Sequence, residues 1–147
     1  VRTEVNPNNL AYTNMGLGSH TDNPYRDPVP TVQLLHCLDS STEGGDSVLV
    51  DGFKAGPVLR QESKEDFDIL SNTWINFRFS DETTDLRSRV PLIELNDSSE
   101  IVKVRYNNRS IDTIKLPANK IRHFYKAYHH WSEIIDREDL KINFKLS

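Results

Sequence analysis

The chain has 147 residues, with 18 lysines and arginines against 22 aspartates and glutamates, and a formal net charge of −4. This length suits one domain with a true hydrophobic core, and the scattered charges lack the basic stripe that binds nucleic-acid phosphates. We therefore expect no nucleic-acid partner, and the short apolar runs predict a cytoplasmic protein without a membrane-spanning segment. The single cysteine, Cys37, excludes an internal disulfide and a thiolate metal site.

The N-terminal third is predicted to consist of short strands and loops. A strand is expected at 10–14, and three prolines in nine residues predict an irregular surface loop at 22–30. An apolar run predicts a buried strand at 31–38. Within that strand, Cys37 and His36 are more typical of core packing than of catalysis or metal binding.

The remainder alternates strands and helices. Asp51 is a typical N-cap residue, and the proline before residue 118 followed by apolar residues at helical spacing predicts a long amphipathic helix packed on the sheet. In chain order the predicted elements are a strand at 46–50, helices at 53–61 and 64–72, a β-meander of strands at 74–79, 89–95 and 100–107 with a turn at 96–99, a helix at 118–136, and a strand at 140–146.

Two side chains suited to metal binding lie two positions apart near the N-terminus. His20 and Asp22 follow a glycine-rich strand end, and alternate residues of an extended segment project to the same side. An imidazole and a carboxylate, completed by a distant histidine, form the facial triad of non-haem Fe(II) oxygenases. A surface histidine beside a capping aspartate produces the same short pattern without a metal, so this pair alone leaves both interpretations open.

Five ordered segments carry a family resemblance: Asn9-Leu-Ala-Tyr-Thr-Asn14, His20-Thr-Asp-Asn-Pro24, Val32-Gln-Leu-Leu-His-Cys-Leu38, Gly44-Gly-Asp-Ser47 and Val50-Asp-Gly-Phe53. Together they resemble the gamma-butyrobetaine and trimethyllysine hydroxylases, within the taurine-dioxygenase-like group of 2-oxoglutarate oxygenases. The resemblance is dense over residues 9–53 and looser to about residue 146. It implies a fold that is mainly β with helices (α+β), a partial double-stranded β-helix or jelly roll, with residues 1–147 as a single partial catalytic domain lacking its C-terminal strands.

The resemblance also implies the cofactors and their ligands. His20 and Asp22 would be two of three Fe(II) ligands, and Leu35 would lie beside the cosubstrate 2-oxoglutarate, with dioxygen as the second cosubstrate. The family's third histidine and its 2-oxoglutarate-binding arginine have no match in this sequence. Residues 141–147 resemble the strand just before that missing segment, so we expect a truncated enzyme that is inactive by itself.

The implied substrate is a small trimethylammonium carboxylate. Asn9 and one of Asn107 and Asn108 match positions that hold the substrate carboxylate. Tyr12 matches a cage aromatic, which suits a quaternary ammonium because such a group cannot donate a hydrogen bond and is held by ring faces. Asn23 replaces an aromatic of some gamma-butyrobetaine hydroxylases and resembles trimethyllysine-type sequences, so the substrate stays open.

The sequence as a whole predicts an Fe(II)- and 2-oxoglutarate-dependent dioxygenase, with gamma-butyrobetaine as the first candidate substrate. Within the enzyme class the alternatives are trimethyllysine, a trimethylaminophosphonate or a sulfonate. A non-catalytic jelly-roll module that binds a small cation is an alternative from a different class. A further alternative is a structural role for the fragment, whose exposed strand edges would pair with another chain, for example in a homodimer.

Overall fold

A computed structural model describes residues 16–37 and 43–146 of the chain. Within these residues the fold is α+β, as predicted, but three helices contain more residues than six short strands, so the predicted weighting towards β is not seen in this part of the chain. In chain order the elements are β1 (Ser47–Val50), α1 (Gly52–Glu62), α2 (Lys64–Asn72), β2 (Ile75–Ser80), β3 (Asp85–Val90), β4 (Ile93–Leu95), β5 (Ile101–Val104), α3 (Ala118–Ile135), a 3₁₀ turn (Glu138–Leu140) and β6 (Lys141–Phe144).

The first two helices begin at capping side chains that the sequence displays. The Asp51 carboxylate accepts hydrogen bonds from the backbone N–H groups of Phe53 and Lys54, at 2.8 and 3.3 Å. The Ser63 hydroxyl accepts one from Asp66 N at 3.2 Å. Each cap satisfies amides that have no partner within the first helical turn, which is why α1 and α2 begin within a residue of the predicted positions.

The strands form three separate two-stranded antiparallel sheets, β1–β6, β2–β3 and β4–β5. The predicted meander at 74–107 is therefore wrong, since β3 and β4 belong to different sheets. Pro91 lies between them, and proline lacks the N–H that a continuous ladder requires. The turn at 96–99 is confirmed, because Asn96 Oδ1 accepts backbone N–H groups from Ser98 and Glu100.

The main core lies between the helices and includes buried side chains of β2 and β4. α3 packs against α2 and α1, so the prediction that it packs on the sheet is wrong. The apolar face of an amphipathic helix can be buried by neighbouring helices as well as by a sheet. Fully buried aromatic residues at the centre of this core are Phe67, Phe77, Phe124 and Trp131.

The predicted strand at 31–38 is not formed over 31–37, and residue 38 lies outside the described residues. Leu34 is 92 % exposed, His36 is exposed and Cys37 is half-buried, so a core role for His36 is also wrong. A strand needs a pairing neighbour as well as a suitable sequence. A double-stranded β-helix is not formed by the described residues and remains a prediction.

Candidate active site

The imidazole of His20 and the carboxylate of Asp22 face each other, as their spacing predicts. His20 Nε2 lies 3.3 Å from Asp22 Oδ1, and the two side chains are 37 % and 43 % exposed. His20 Nδ1 lies 2.8 Å from the carbonyl oxygen of Gly18. Because a carbonyl only accepts, Nδ1 carries a proton, and Nε2 is the ring nitrogen that faces Asp22.

Thr21, between the two candidate ligands, is fixed to the segment that follows β5. Its backbone N–H donates to the Tyr106 carbonyl at 2.7 Å, and its hydroxyl accepts the Tyr106 N–H at 2.9 Å. Asn107 Nδ2 adds a hydrogen bond to the Thr21 carbonyl at 3.0 Å. These three contacts, here called the Thr21 clamp, hold the backbone from which His20 and Asp22 project.

The residues after the pair are held by the β2–β3 hairpin. Pro24 is fully buried and its carbonyl accepts the Ser88 hydroxyl at 2.6 Å, while the Tyr25 ring stacks on Phe79 with centroids 5.3 Å apart. Asn23 adopts a left-handed backbone with φ of 49°, which asparagine tolerates better than bulky residues do. This conformation gives a local reason for asparagine at the position where related sequences carry an aromatic.

The other predicted site residues differ in how they relate to the His20–Asp22 pair. Asn9 and Tyr12 lie outside the described residues. Leu35 is 64 % exposed in an irregular segment, and its predicted position beside 2-oxoglutarate stays a prediction. Asn107 lies close to the pair through the Thr21 clamp, so the structure joins chain segments that are 86 positions apart, whereas Asn108 bonds Tyr128 on α3.

Sequence reasoning missed Thr21 and Tyr106 as parts of the site. The clamp uses mainly backbone atoms of these two residues. Backbone contacts between distant segments leave no spacing signal in the sequence. The one available signal was the hydroxyl of Thr21 between two ligand-type residues.

The whole chain, residues 1–147, matches the family described as taurine catabolism dioxygenase TauD, TfdA family. The chain belongs to this TauD/TfdA family. Three relatives are similar in sequence to most of this chain. The chain is 35 % identical to human gamma-butyrobetaine dioxygenase over 153 aligned positions, 34 % to that of Pseudomonas sp. strain AK-1 over 134, and 30 % to trimethyllysine dioxygenase of the yeast Meyerozyma guilliermondii over 139.

These alignments cover most of this chain but a minor part of each relative. They include 100 %, 91 % and 90 % of the chain, and 39 %, 35 % and 35 % of the respective relatives. The chain therefore spans between about one third and two fifths of the length of these relatives.

The donor atoms at the His20–Asp22 pair fit a divalent iron ion. Ligand bonds of about 2.1 Å at a right angle place two donor atoms about 3 Å apart, close to the 3.3 Å between His20 Nε2 and Asp22 Oδ1. The Gly18 carbonyl supplies the outer hydrogen bond that typically orients a metal-bound imidazole. No cluster of three or more His, Cys, Asp or Glu side chains suited to a metal occurs among the described residues, so a third protein ligand is not identified within them.

No helix in the described part of the chain is both long and apolar enough to cross a membrane.

Proposed function

We propose that the intact protein is an Fe(II)- and 2-oxoglutarate-dependent dioxygenase that hydroxylates a small trimethylammonium carboxylate, with gamma-butyrobetaine as the first candidate. The observation that carries the proposal is the oriented pair of donor atoms at His20 and Asp22 in a chain of the TauD/TfdA family. The gamma-butyrobetaine and trimethyllysine dioxygenases among its relatives support this substrate class.

His20 and Asp22 would hold Fe(II) together with a histidine from outside the described residues. The bound iron, with 2-oxoglutarate and dioxygen, supplies the oxidising power that converts a C–H bond to C–OH, with succinate and carbon dioxide as coproducts. His20 would bind the metal through Nε2, because its Nδ1–H donates to the Gly18 carbonyl. Asp22 contributes a negative charge that lowers the net charge of the metal site.

The remaining proposed roles concern positioning of the small molecules. Leu35 would lie beside 2-oxoglutarate. Asn9, with Asn107 or Asn108, would bind the substrate carboxylate through amide N–H groups, and Tyr12 would face the trimethylammonium group, which ring faces attract. Such contacts would direct one C–H bond towards the iron.

The proposal is tested by succinate release from the intact protein supplied with Fe(II) and 2-oxoglutarate. Gamma-butyrobetaine, trimethyllysine and a sulfonate are compared as substrates, in the native protein and in His20→Ala. A suitable control is His123→Ala, because Nδ1 of His123 also bonds a backbone carbonyl, that of Asn119, at 2.9 Å, but lies on α3.

We expect release that depends on gamma-butyrobetaine, persists in His123→Ala and disappears in His20→Ala. Release with trimethyllysine or the sulfonate instead would keep the chemistry and replace the substrate. Absence of release with every substrate, although Fe(II) and 2-oxoglutarate are present, would refute the enzyme and favour a binding module.

A further inference from the structure

We propose that Asn107 is a positioning residue for the metal ligands, holding the backbone between His20 and Asp22 rather than binding the substrate. This inference rests on the proposed function, because it assigns a role at the same site. It separates Asn107 from Asn108, between which the sequence does not choose.

Both the oxygen and the nitrogen of the Asn107 side-chain amide make hydrogen bonds. Its Oδ1 accepts the backbone N–H groups of Arg109 and Ser110, at 3.1 and 3.2 Å. These two donors fix the amide orientation, because only the oxygen can accept. Nδ2 consequently points to the Thr21 carbonyl, 3.0 Å away, and Asn107 connects a tight turn to the ligand segment.

Asn108 is oriented differently. It is exposed, and its Oδ1 accepts the hydroxyl of Tyr128 on α3. Among the described residues, none accepts a hydrogen bond from Asn108 Nδ2. The amide nitrogen of Asn108 therefore has capacity for a further acceptor, whereas that of Asn107 already donates to Thr21.

The position of the Thr21 backbone determines where the side chains of both candidate ligands point, because His20 and Asp22 are its direct neighbours. If the Thr21 backbone shifts or rotates, the distance between His20 Nε2 and Asp22 Oδ1 changes. The Thr21 carbonyl belongs to the peptide that leads into Asp22. Release of its hydrogen bond from Asn107 is thus expected to loosen the carboxylate first.

The substitution that isolates this contact is Asn107→Asp. A carboxylate still accepts from Arg109 N and Ser110 N but cannot donate to the Thr21 carbonyl. Asn96→Asp is a matched control, because Asn96 Oδ1 likewise accepts two backbone N–H groups, in the β4–β5 turn. A second pair of variants tests the hydroxyl that accepts the Tyr106 N–H at 2.9 Å. Thr21→Val removes this hydroxyl, and Thr21→Ser keeps it.

The measurement is Co(II) affinity of the intact protein, by visible absorption without oxygen, together with kcat and KM for succinate release. We expect Asn107→Asp and Thr21→Val to weaken Co(II) binding by roughly 10-fold or more, with Asn96→Asp and Thr21→Ser close to the native protein. The added negative charge of Asn107→Asp would by itself favour a cation, so a loss of affinity cannot come from charge.

Unchanged Co(II) affinity in Asn107→Asp overturns the inference, whatever the effect of Thr21→Val. A raised substrate KM with unchanged Co(II) affinity in Asn107→Asp also overturns it and assigns Asn107 to the substrate. Failure of the proposed function gives a different result. A native protein that binds Co(II) through His20 but releases no succinate refutes the proposed reaction. The Co(II) affinities of the variants would still test the role of Asn107 in that case.

Discussion

His130 on α3 connects all three helices through two carboxylates. Its Nδ1 lies 2.8 Å from Asp66 Oδ2 on α2, and its Nε2 lies 3.2 Å from Glu62 Oε2 at the end of α1. Both ring nitrogens donate only when the imidazole is protonated. Burial opposes protonation, but the hydrogen bonds to Asp66 and Glu62 outweigh it, and the pKa of His130 is raised above its usual 6.5.

We predict that His130→Leu lowers the free energy of unfolding by about 2 kcal/mol near pH 6. Asp66 is 2 % exposed, and its Oδ1 has no hydrogen-bond partner among the described residues. Removing His130 leaves a buried carboxylate with only the distant ammonium of Lys126, at 3.9 Å. Breaking a fully buried pair costs about 3–5 kcal/mol, and the 22 % exposure of the His130 side chain reduces that cost.

The pH dependence follows from the direction of the pKa change. Because the folded pKa is raised, the stabilisation is fully present below pH 6.5, the unfolded value, and is lost as pH rises through the folded pKa. Urea unfolding is followed by fluorescence of Trp131, which is 1 % exposed on α3, in a Trp74→Phe background. The difference between native and His130→Leu should shrink from about pH 6 to about pH 9.

A matched control is available on the same helix. His129 lies 3.4 Å from Glu133, and its side chain is 73 % exposed, so His129→Leu should change the free energy of unfolding by less than about 0.5 kcal/mol. In an Asp66→Asn background, His130→Leu should cost less, because a neutral amide is easier to bury than a carboxylate. Equal losses for His129→Leu and His130→Leu, or an effect that grows with pH, would refute this reasoning.

Three further predictions concern a cap, the core and the metal site. Asp51→Ala should destabilise the protein by about 1 kcal/mol in urea denaturation, because two amides of α1 lose their acceptor, and an undiminished midpoint would contradict the capping role. Phe67→Ala should cost about 3–5 kcal/mol in the same assay, since the ring is 0 % exposed and lies 4.7 Å from the Arg60 guanidinium; a loss below 1 kcal/mol would contradict it. Asp22→Asn should abolish Co(II) binding by the intact protein without lowering its thermal stability, and native-like affinity would remove Asp22 from the metal site.

The helices could be predicted closely because their signals are local. Asp51 and Ser63 are capping residues whose acceptors lie within three positions of the amides they bind, so a short window of sequence contains the whole interaction. The length of α3 followed from apolar residues at helical spacing. Its packing partner could not be predicted, because an apolar face fits either a sheet or other helices.

The strands and the clamp depend on distant parts of the chain. The apolar pattern at 31–37 matches a strand, yet pairing requires a neighbouring strand that the pattern does not specify. Thr21 and Asn107 are 86 positions apart, and nothing near either residue indicates the other. The resemblance to a family assigned one of Asn107 and Asn108 to the site but did not choose between them.

The clamp also explains how a loop can present metal ligands with defined geometry. Tyr106, whose backbone bonds Thr21, packs its ring against Tyr128 of α3 with centroids 5.3 Å apart. Burial and the neighbouring Tyr106 raise the pKa of Tyr128, so its hydroxyl remains a donor to Asn108. A site is held more precisely by packed elements than by a loop alone. The helical core, although distant from His20 and Asp22 in sequence, is therefore part of what orients these candidate ligands.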